Sequence, residues 1–416
     1  MILSIFFLPG GVEAAAGIDI FPQGGKDVET GNIQIGRVKV HPGFAFETRY
    51  EDNVFLEADQ TFANGTSEGR TDDFIFINQP YLGLKLDRLE GELFGFDLSY
   101  RGNDEHFLNL SNTQDVFEHR IAGSVNLGGP GGRGDLTFGG SYFSTQSIES
   151  RDLQTNIGNR VSNKERSVYA DFIVIFRKTF RVKAHGDFQQ RTFGGTLSRE
   201  DRDTYNFGGS IFWQFTKLTA LGVKYNHRLR EYPEVSAVNF DSNSDQVFVA
   251  IRWEPTALVR GEVAVGYDTK RFKGIAGQDR QDVIYQIDLE YHPVDRTNFV
   301  LTGVRSIQDS SFGVIQAYLS SSVGLTWYQK LGKKFSTEIG ASFQNLDYDK
   351  FAVDTPGGGV LRVRKDNSVS TVVALVYDIQ KWLKARAVYR FENNNSNFDN
   401  NDFKSNTGVL NLSLAY

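Results

Sequence analysis

The sequence predicts an all-β protein: a closed, antiparallel, up-and-down β-barrel of about eighteen strands that crosses a membrane. One observation is the last strand, where Gly408, Leu410, Leu412, Leu414 and Tyr416 share one face and small or polar residues share the other. Short turns also alternate with long polar loops along the chain. Most strands between them separate charged from apolar residues, as a wall between lipid and water requires.

The composition is typical of one domain formed by a single β-sheet with an apolar face and a polar face. The 416 residues include 42 Gly, 34 Phe and 17 Tyr, and no shift in composition or Pro/Ser-rich linker divides them. No apolar run is long enough for a transmembrane helix, but alternating strands can cross a bilayer at a mean hydropathy of −0.35. The net charge of −6 and the lack of a basic stripe argue against nucleic acid. The absence of cysteine excludes disulfides and thiol chemistry.

The amino terminus resembles a processed leader. Residues Met1–Ala16 contain an apolar run followed by three alanines, which we interpret as the remnant of a secretory signal peptide. Residues 17–35 are polar and glycine-rich, and we expect them to form a short periplasmic tail. The barrel is then expected over residues 36–416.

The turns give the strand count. Eight short turns alternate with eight longer loops rich in Asp, Asn, Ser and Gly. Together with the first loop, Leu56–Asp72, and the closing strand they give eighteen strands, with sixteen as the nearest alternative. The short turns are Asp87–Gly91, Gly128–Gly134, Arg177–Thr179, Thr216–Leu218, Glu254–Ala257, Pro293–Asn298, Lys330–Gly332 and Gln380–Leu383.

The faces of the strands favour a membrane barrel over a soluble sandwich. In Phe180–Arg191, apolar residues and glycine alternate strictly with Arg, Lys, His, Asp and Gln, and Val259–Lys270 shows a similar split. Aromatic residues collect at strand ends next to the short turns, where an interfacial girdle is expected. These include Trp213, Phe215, Trp253, Tyr291, Trp327, Tyr328 and Trp382.

One stretch resembles a known family. A strand running into Tyr50–Phe55, then a loop, then Asp73-Phe-Ile with Pro80 and alternating Leu, resembles the putative β-barrel porin 2 family over about residues 40–100. The resemblance implies an outer-membrane protein of a Gram-negative bacterium and a link to exopolysaccharide export. The final strand resembles an outer-membrane assembly signal, so the expected partners are lipid, the barrel-assembly machinery through Gly408–Tyr416, a polysaccharide and periplasmic export proteins.

Other chemistry is weakly indicated. Gly129–Gly134 matches a dinucleotide fingerprint, but a strand rather than a helix follows it. His292 shares a strand face with Asp282, Asp288 and Glu290, yet it abuts a short turn, and no nucleophile motif accompanies it. The histidines lack metal-ligand spacing, and the Asn/Asp-rich loop 393–402 lacks the regular spacing of a calcium loop. We therefore expect no enzyme activity, no cofactor and no metal site.

The polar face of the strands predicts the lumen. Its cations outnumber its acids, which indicates an anion preference if pairing across strands, such as Arg181 with Asp171, does not consume them. The leading hypothesis is an exopolysaccharide export channel; the alternatives are a general or anion-selective diffusion porin and a non-conducting structural or binding barrel. The predicted pore-lining residues are Arg101, Arg120, Arg177, Arg181, Lys183, Arg191, Lys224, Arg228, Arg252, Arg260, Arg386, Arg390, Asp187, Glu262, Asp288 and Glu290.

Overall fold

The computed structural model describes residues 33–56, 60–61, 67–68, 70–88, 93–128, 134–147, 161–177, 179–234, 240–253, 258–274, 279–310, 317–352, 363–397 and 402–415. Three short strands stand outside the main wall, namely β1 (Ile33–Ile35), β3 (Gln60–Thr61) and β4 (Ser67–Glu68). The strands of the wall are β2 (Val38–Glu51), β5 (Asp73–Leu86), β6 (Phe94–Phe107), β7 (Val116–Leu127), β8 (Gly134–Ser147), β9 (Val161–Phe176), β10 (Phe180–Phe193), β11 (Arg202–Gln214), β12 (Thr219–Glu231), β13 (Ser242–Trp253), β14 (Val259–Phe272), β15 (Arg280–Val294), β16 (Thr297–Asp309), β17 (Ala317–Lys330), β18 (Phe335–Ala352), β19 (Val363–Gln380), β20 (Leu383–Ser396) and β21 (Phe403–Ala415).

The wall is a closed barrel. Each wall strand pairs antiparallel with the next one in the chain, and β2 closes the circle by pairing with β21 from Gly43↔Ala415 to Glu51↔Thr407. Strand β1 adds only a short antiparallel pair on β2. The prediction of eighteen strands is confirmed, and the alternative of sixteen is wrong.

Alternation places the apolar side chains outside. On β21 the predicted outer residues Leu410, Leu412 and Leu414 are exposed, while Val409 and Asn411, which alternate with them, are buried on the inner side. The apolar face of the barrel therefore points outward, as contact with lipid requires. Among the described residues, no helix is long and apolar enough to span a membrane.

Two expectations concern residues at the chain ends. The proposed leader, Met1–Ala16, and most of the proposed tail lie outside the described residues, as does Tyr416. The last three residues of the expected tail form β1, whose Ile33 stands opposite Val40 of β2.

Aromatic residues mark the end of the barrel where the short turns lie, called here the turn end; the opposite end is the loop end. Trp213, Phe215 and Trp382 are about half exposed on the outer side. Tyr291 and Trp327 each stack on Phe299, at centroid distances of 6.2 and 6.5 Å. The girdle is therefore present, as the sequence predicted. Tyr328 is an exception because it stands opposite Glu338 on the inner face.

The wall requires glycine at position 261. Gly261 in β14 has φ +139°, and a Cβ there would lie 1.9 Å from the Asp288 carbonyl oxygen of β15. Gly261→Ala should destabilise the barrel by at least about 1–3 kcal/mol through backbone strain and this overlap. Heat-modifiable electrophoretic mobility of the refolded protein measures the loss. Gly408→Ala is the control, since no atom lies within 4 Å of its Cβ position; equal melting of both variants would contradict the expectation.

Candidate functional site

The inner face carries the predicted pore-lining residues. They occupy the positions that alternate with exposed apolar side chains, such as Phe207, Val223 and Val265 on the outer side. Arg177 differs, because it lies in the turn between β9 and β10 with φ 50° and not on a strand. The inward residues are Arg101, Arg120, Arg181, Lys183, Arg191, Lys224, Arg228, Arg252, Arg260, Arg386, Arg390, Asp187, Glu262, Asp288 and Glu290.

A first charge network joins β9, β10 and β11. Asp171 accepts a bond from Lys183 Nζ at 2.7 Å and lies 2.9 Å from the His185 ring, whose other nitrogen is 2.8 Å from Asp187. Asn206 donates to Asp187 at 2.8 Å. Arg181, which the sequence placed beside Asp171, stands opposite Ile175, while Lys183 and His185 lie closer to Asp171 along the strand.

A second network joins β12, β13, β14 and β15. Lys224 donates to Glu262 at 2.8 Å and to Gln286 at 2.7 Å, and Arg252 donates to Glu262 at 2.7 Å. The Arg252 guanidinium also lies 3.9 Å from the centroid of the Phe212 ring. Nearer the turn end, Arg260 pairs with Glu290. Side chains that the sequence predicted to be free for solutes thus form ion pairs with residues of neighbouring strands.

A third group of charges lies near the closing seam. Arg386 donates to Glu338 at 3.0 Å, and Arg49 donates to the fully buried Glu47 at 2.8 Å. Arg390 stands on the same inner face of β20 as Arg386, four residues along the strand. The wall on this side also consists of paired charge.

One cavity opens off the lumen near the turn end. It has a volume of about 250 Å³, and Arg181, Phe212, Gln214 and Arg252 are among the residues lining it. Arg181 therefore contributes to a recess in the wall. In the described ranges, no group of three or more His, Asp or Glu side chains is placed to hold a metal ion.

Ion pairs fix the turn that follows β5. Lys39 of β2 donates to Asp87 at 2.7 Å, and Lys85 Nζ lies 3.2 Å from the other carboxylate oxygen. The hydrogen bond from Lys39 is the main cause that lowers the pKa of Asp87. Arg88 in the same turn donates to Asp135 at 2.7 Å. These contacts hold the rim of the lumen at the turn end.

At the loop end the β16–β17 hairpin leans into the lumen. Pairing of β15 with β16 stops at Tyr285↔Arg305, although both strands continue beyond it. Above this point Ile307 and Leu319, which alternation assigns to the outer face, are buried against Phe272 on the inner face of β14. An outer face can meet an inner face only if the hairpin lies inside the barrel. The infolded hairpin therefore narrows this half of the lumen.

Asp309 fastens the infolded hairpin. It accepts bonds from Arg230 of β12 and, at 2.6 Å, from Lys270 of β14, and all three side chains are almost fully buried. The Ser242 hydroxyl lies 3.3 Å from the same carboxylate. A buried acid between two buried cations costs much free energy to break on one side only. We call Asp309, Arg230 and Lys270 the latch.

Sequence reasoning missed Asp309. In β16 it shares a strand parity with Phe299 and Leu301, which face outward, so its sequence position predicts an outer-rim acid. Only the inward lean of the hairpin brings it to Lys270.

The latch predicts a change in conductance. Asp309→Asn removes the charge that holds Arg230 and Lys270, which should cost about 3–5 kcal/mol and free the hairpin to leave the lumen. We expect a larger single-channel conductance in a planar bilayer. Asp245→Asn is the control: it makes the same change at an outer-face acid beside His227 and should leave the conductance as it was. Loss of stability with unchanged conductance would mean that the hairpin stays inside without its latch.

Solved structures whose chain trace resembles this one include large outer-membrane barrels. The FrpB iron transporter of Neisseria meningitidis (F3-3 variant) has 9% identity and a TM-score of 0.47, over 85% of this chain and 62% of FrpB. OccK2 (OpdF) of Pseudomonas aeruginosa, in complex with glucuronate, has 11% identity and a TM-score of 0.48, over 91% of this chain and 98% of OccK2. At such values they say nothing about what this chain transports. No curated protein sequence matches the chain.

A family model does match. The model described as putative beta-barrel porin 2 covers residues 176–416, which is more than half of the chain. The matched stretch lies outside residues 40–100, on which the motif resemblance depended, so a different part of the chain confirms the assignment. The protein belongs to the putative β-barrel porin 2 family, a family of porin-like barrels of the bacterial outer membrane.

Proposed function

We propose that this outer-membrane barrel is a channel through which an exopolysaccharide leaves the cell. The observation that carries the proposal is the inner wall, which is polar and charged from Lys183 near the turn end, through Arg120 at mid-height, to Lys270 at the loop end. A hydroxyl-rich polymer can form hydrogen bonds with successive polar side chains along such a wall, so it meets no apolar barrier on its way. The resemblance to the porin 2 family implies the same class of cargo.

The pairing of the charges also supports passage of a polymer. Lys183 with Asp171 and Arg260 with Glu290 each form a neutral pair that is partly exposed, so its outer atoms can still bond to hydroxyl groups. A wall of pairs binds each sugar weakly at many places, which permits movement as well as entry. A row of unpaired arginines would instead hold an acidic polymer strongly through multivalent contacts.

A second candidate is a diffusion porin for small solutes. The infolded hairpin favours it, because Ile307 and Leu319 fill part of the lumen at the loop end. A polymer would need the latch to open, whereas a small solute would pass beside the hairpin. The two candidates therefore differ in whether the hairpin must move.

Efflux from proteoliposomes tests the proposal. Vesicles containing the refolded barrel are loaded with fluorescent polygalacturonate and, separately, with a fluorescent monosaccharide. Export predicts release of both, with faster polymer release from Asp309→Asn vesicles than from the unaltered protein. Asp245→Asn vesicles are the control and should match the unaltered protein.

The remaining outcomes contradict polymer export. Release of the monosaccharide alone, in the unaltered protein and in Asp309→Asn, would identify a diffusion porin. Release of neither, together with no conductance in a planar bilayer, would identify a non-conducting barrel.

A further inference from the structure

We infer that the inner wall from β5 to β9 holds a binding site for a short acidic saccharide, an inference that rests on the saccharide channel proposed above. Two arginines begin the argument. Arg101 of β6 and Arg120 of β7 stand directly opposite each other on neighbouring strands and share the inner face. Like charges placed this way destabilise a sheet, so their position opposite each other does not stabilise the wall.

Arg120 is available to a ligand. Its side chain is exposed, and within the described part of the chain it makes no hydrogen bond, ion pair or ring contact. The nearest inward acid on its own strand, Glu118, is engaged by Asn103 at 3.0 Å and by Thr145. The Arg120 guanidinium therefore faces the lumen with its planar set of donors unused, which suits a carboxylate.

Two tyrosines flank the arginines with their rings against the wall. A Cβ at Gly139 of β8 would lie 2.4 Å from Tyr169 Cζ, and one at Gly83 would lie 2.7 Å from Tyr81 Oη. Each ring thus lies over a glycine, and Tyr169 is bonded at its hydroxyl to Ser124 of β7. Both rings are half-buried, so one face of each is covered by the wall and the other faces the lumen.

The four side chains lie along a diagonal path on the inner wall. Tyr81 stands opposite Arg101, Arg101 opposite Arg120, and Ser124, on the strand of Arg120, leads through Gly139 to Tyr169. With strands about 4.8 Å apart and residues about 3.3 Å apart along a strand, the path covers about 19 Å across the strands and about 13 Å along β7 from Arg120 to Ser124. Flat aromatic rings stack on the apolar faces of sugar rings, and an arginine guanidinium donates hydrogen bonds to their carboxylates. The two arginines favour an acidic oligosaccharide over a neutral one, and the inward acid Asp97, opposite Ser124, places the carboxylate at the arginine end of the path.

Calorimetric titration of the detergent-solubilised protein with trigalacturonate at low salt tests the site without requiring conduction. We expect binding that maltotriose does not match. Arg120→Gln should weaken trigalacturonate binding about tenfold or more, the usual effect of losing a charged hydrogen-bonding partner. Tyr169→Leu should weaken both saccharides, since each has ring faces to stack.

The control is Arg166→Gln. Arg166 is an exposed arginine on the outer face of β9, three residues from Tyr169, and it carries the same charge. It should change the affinity less than about twofold, since its charge lies across the wall. Equal weakening by Arg120→Gln and Arg166→Gln would reduce the effect to overall charge and overturn the site. Equal binding of trigalacturonate and maltotriose, or no binding of either, would also overturn it.

The outcome for the site is separable from that for the channel. Polymer efflux without trigalacturonate binding would leave the channel and remove the site. Binding that depends on Arg120 without efflux or conductance would keep the site and remove the channel. All variants are compared at equal heat-modifiable mobility, which shows that each has folded.

Discussion

Every backbone N–H and C=O inside a bilayer needs a partner within the protein, and this requirement closes the sheet. The closing ladder runs from Gly43↔Ala415 to Glu51↔Thr407, so the first and last wall strands complete each other. Closure also decides what each face of a strand meets. Once the circle is complete, one face of a wall strand has lipid beside it and the other has the lumen, except where the β16–β17 hairpin leans inward.

Many charged side chains therefore face the lumen, and most of those described above form ion pairs with one another. Glu262 receives both Lys224 and Arg252, while Asp171 receives Lys183 and the ring of His185. Partly buried charge is tolerable when a partner and hydrogen bonds compensate for the lost water. Against this background Arg120, exposed and opposite another arginine, stands out, because its guanidinium has no bonded partner in the described part of the wall. Function explains Arg120 better than structure does.

At the loop end, two neighbouring strands no longer have to remain hydrogen-bonded to each other. Above Tyr285 and Arg305 the hydrogen bonds between β15 and β16 end, and the hairpin turns inward. Such a break is tolerable where the freed backbone meets protein or water and not lipid. Burial of Ile307 and Leu319 and the bonds to Asp309 stabilise the new position. A narrowing of the lumen is the result, formed by the wall itself.

Local pattern determined much of this protein. A side-chain period of two fixed the inner and outer faces of strands such as Phe180–Phe193, and the turn residues fixed a count of eighteen, because both signals lie within a few residues of one another. Family membership was also correctly inferred, though a different stretch carries it. What remained hidden depends on which residues stand opposite each other across strands. The partner of Asp171, the seating of Tyr169 over Gly139 and the inward turn of Asp309 all follow from register and bending. Those are set by hydrogen bonding between strands far apart in the chain, so only the tertiary structure decided them.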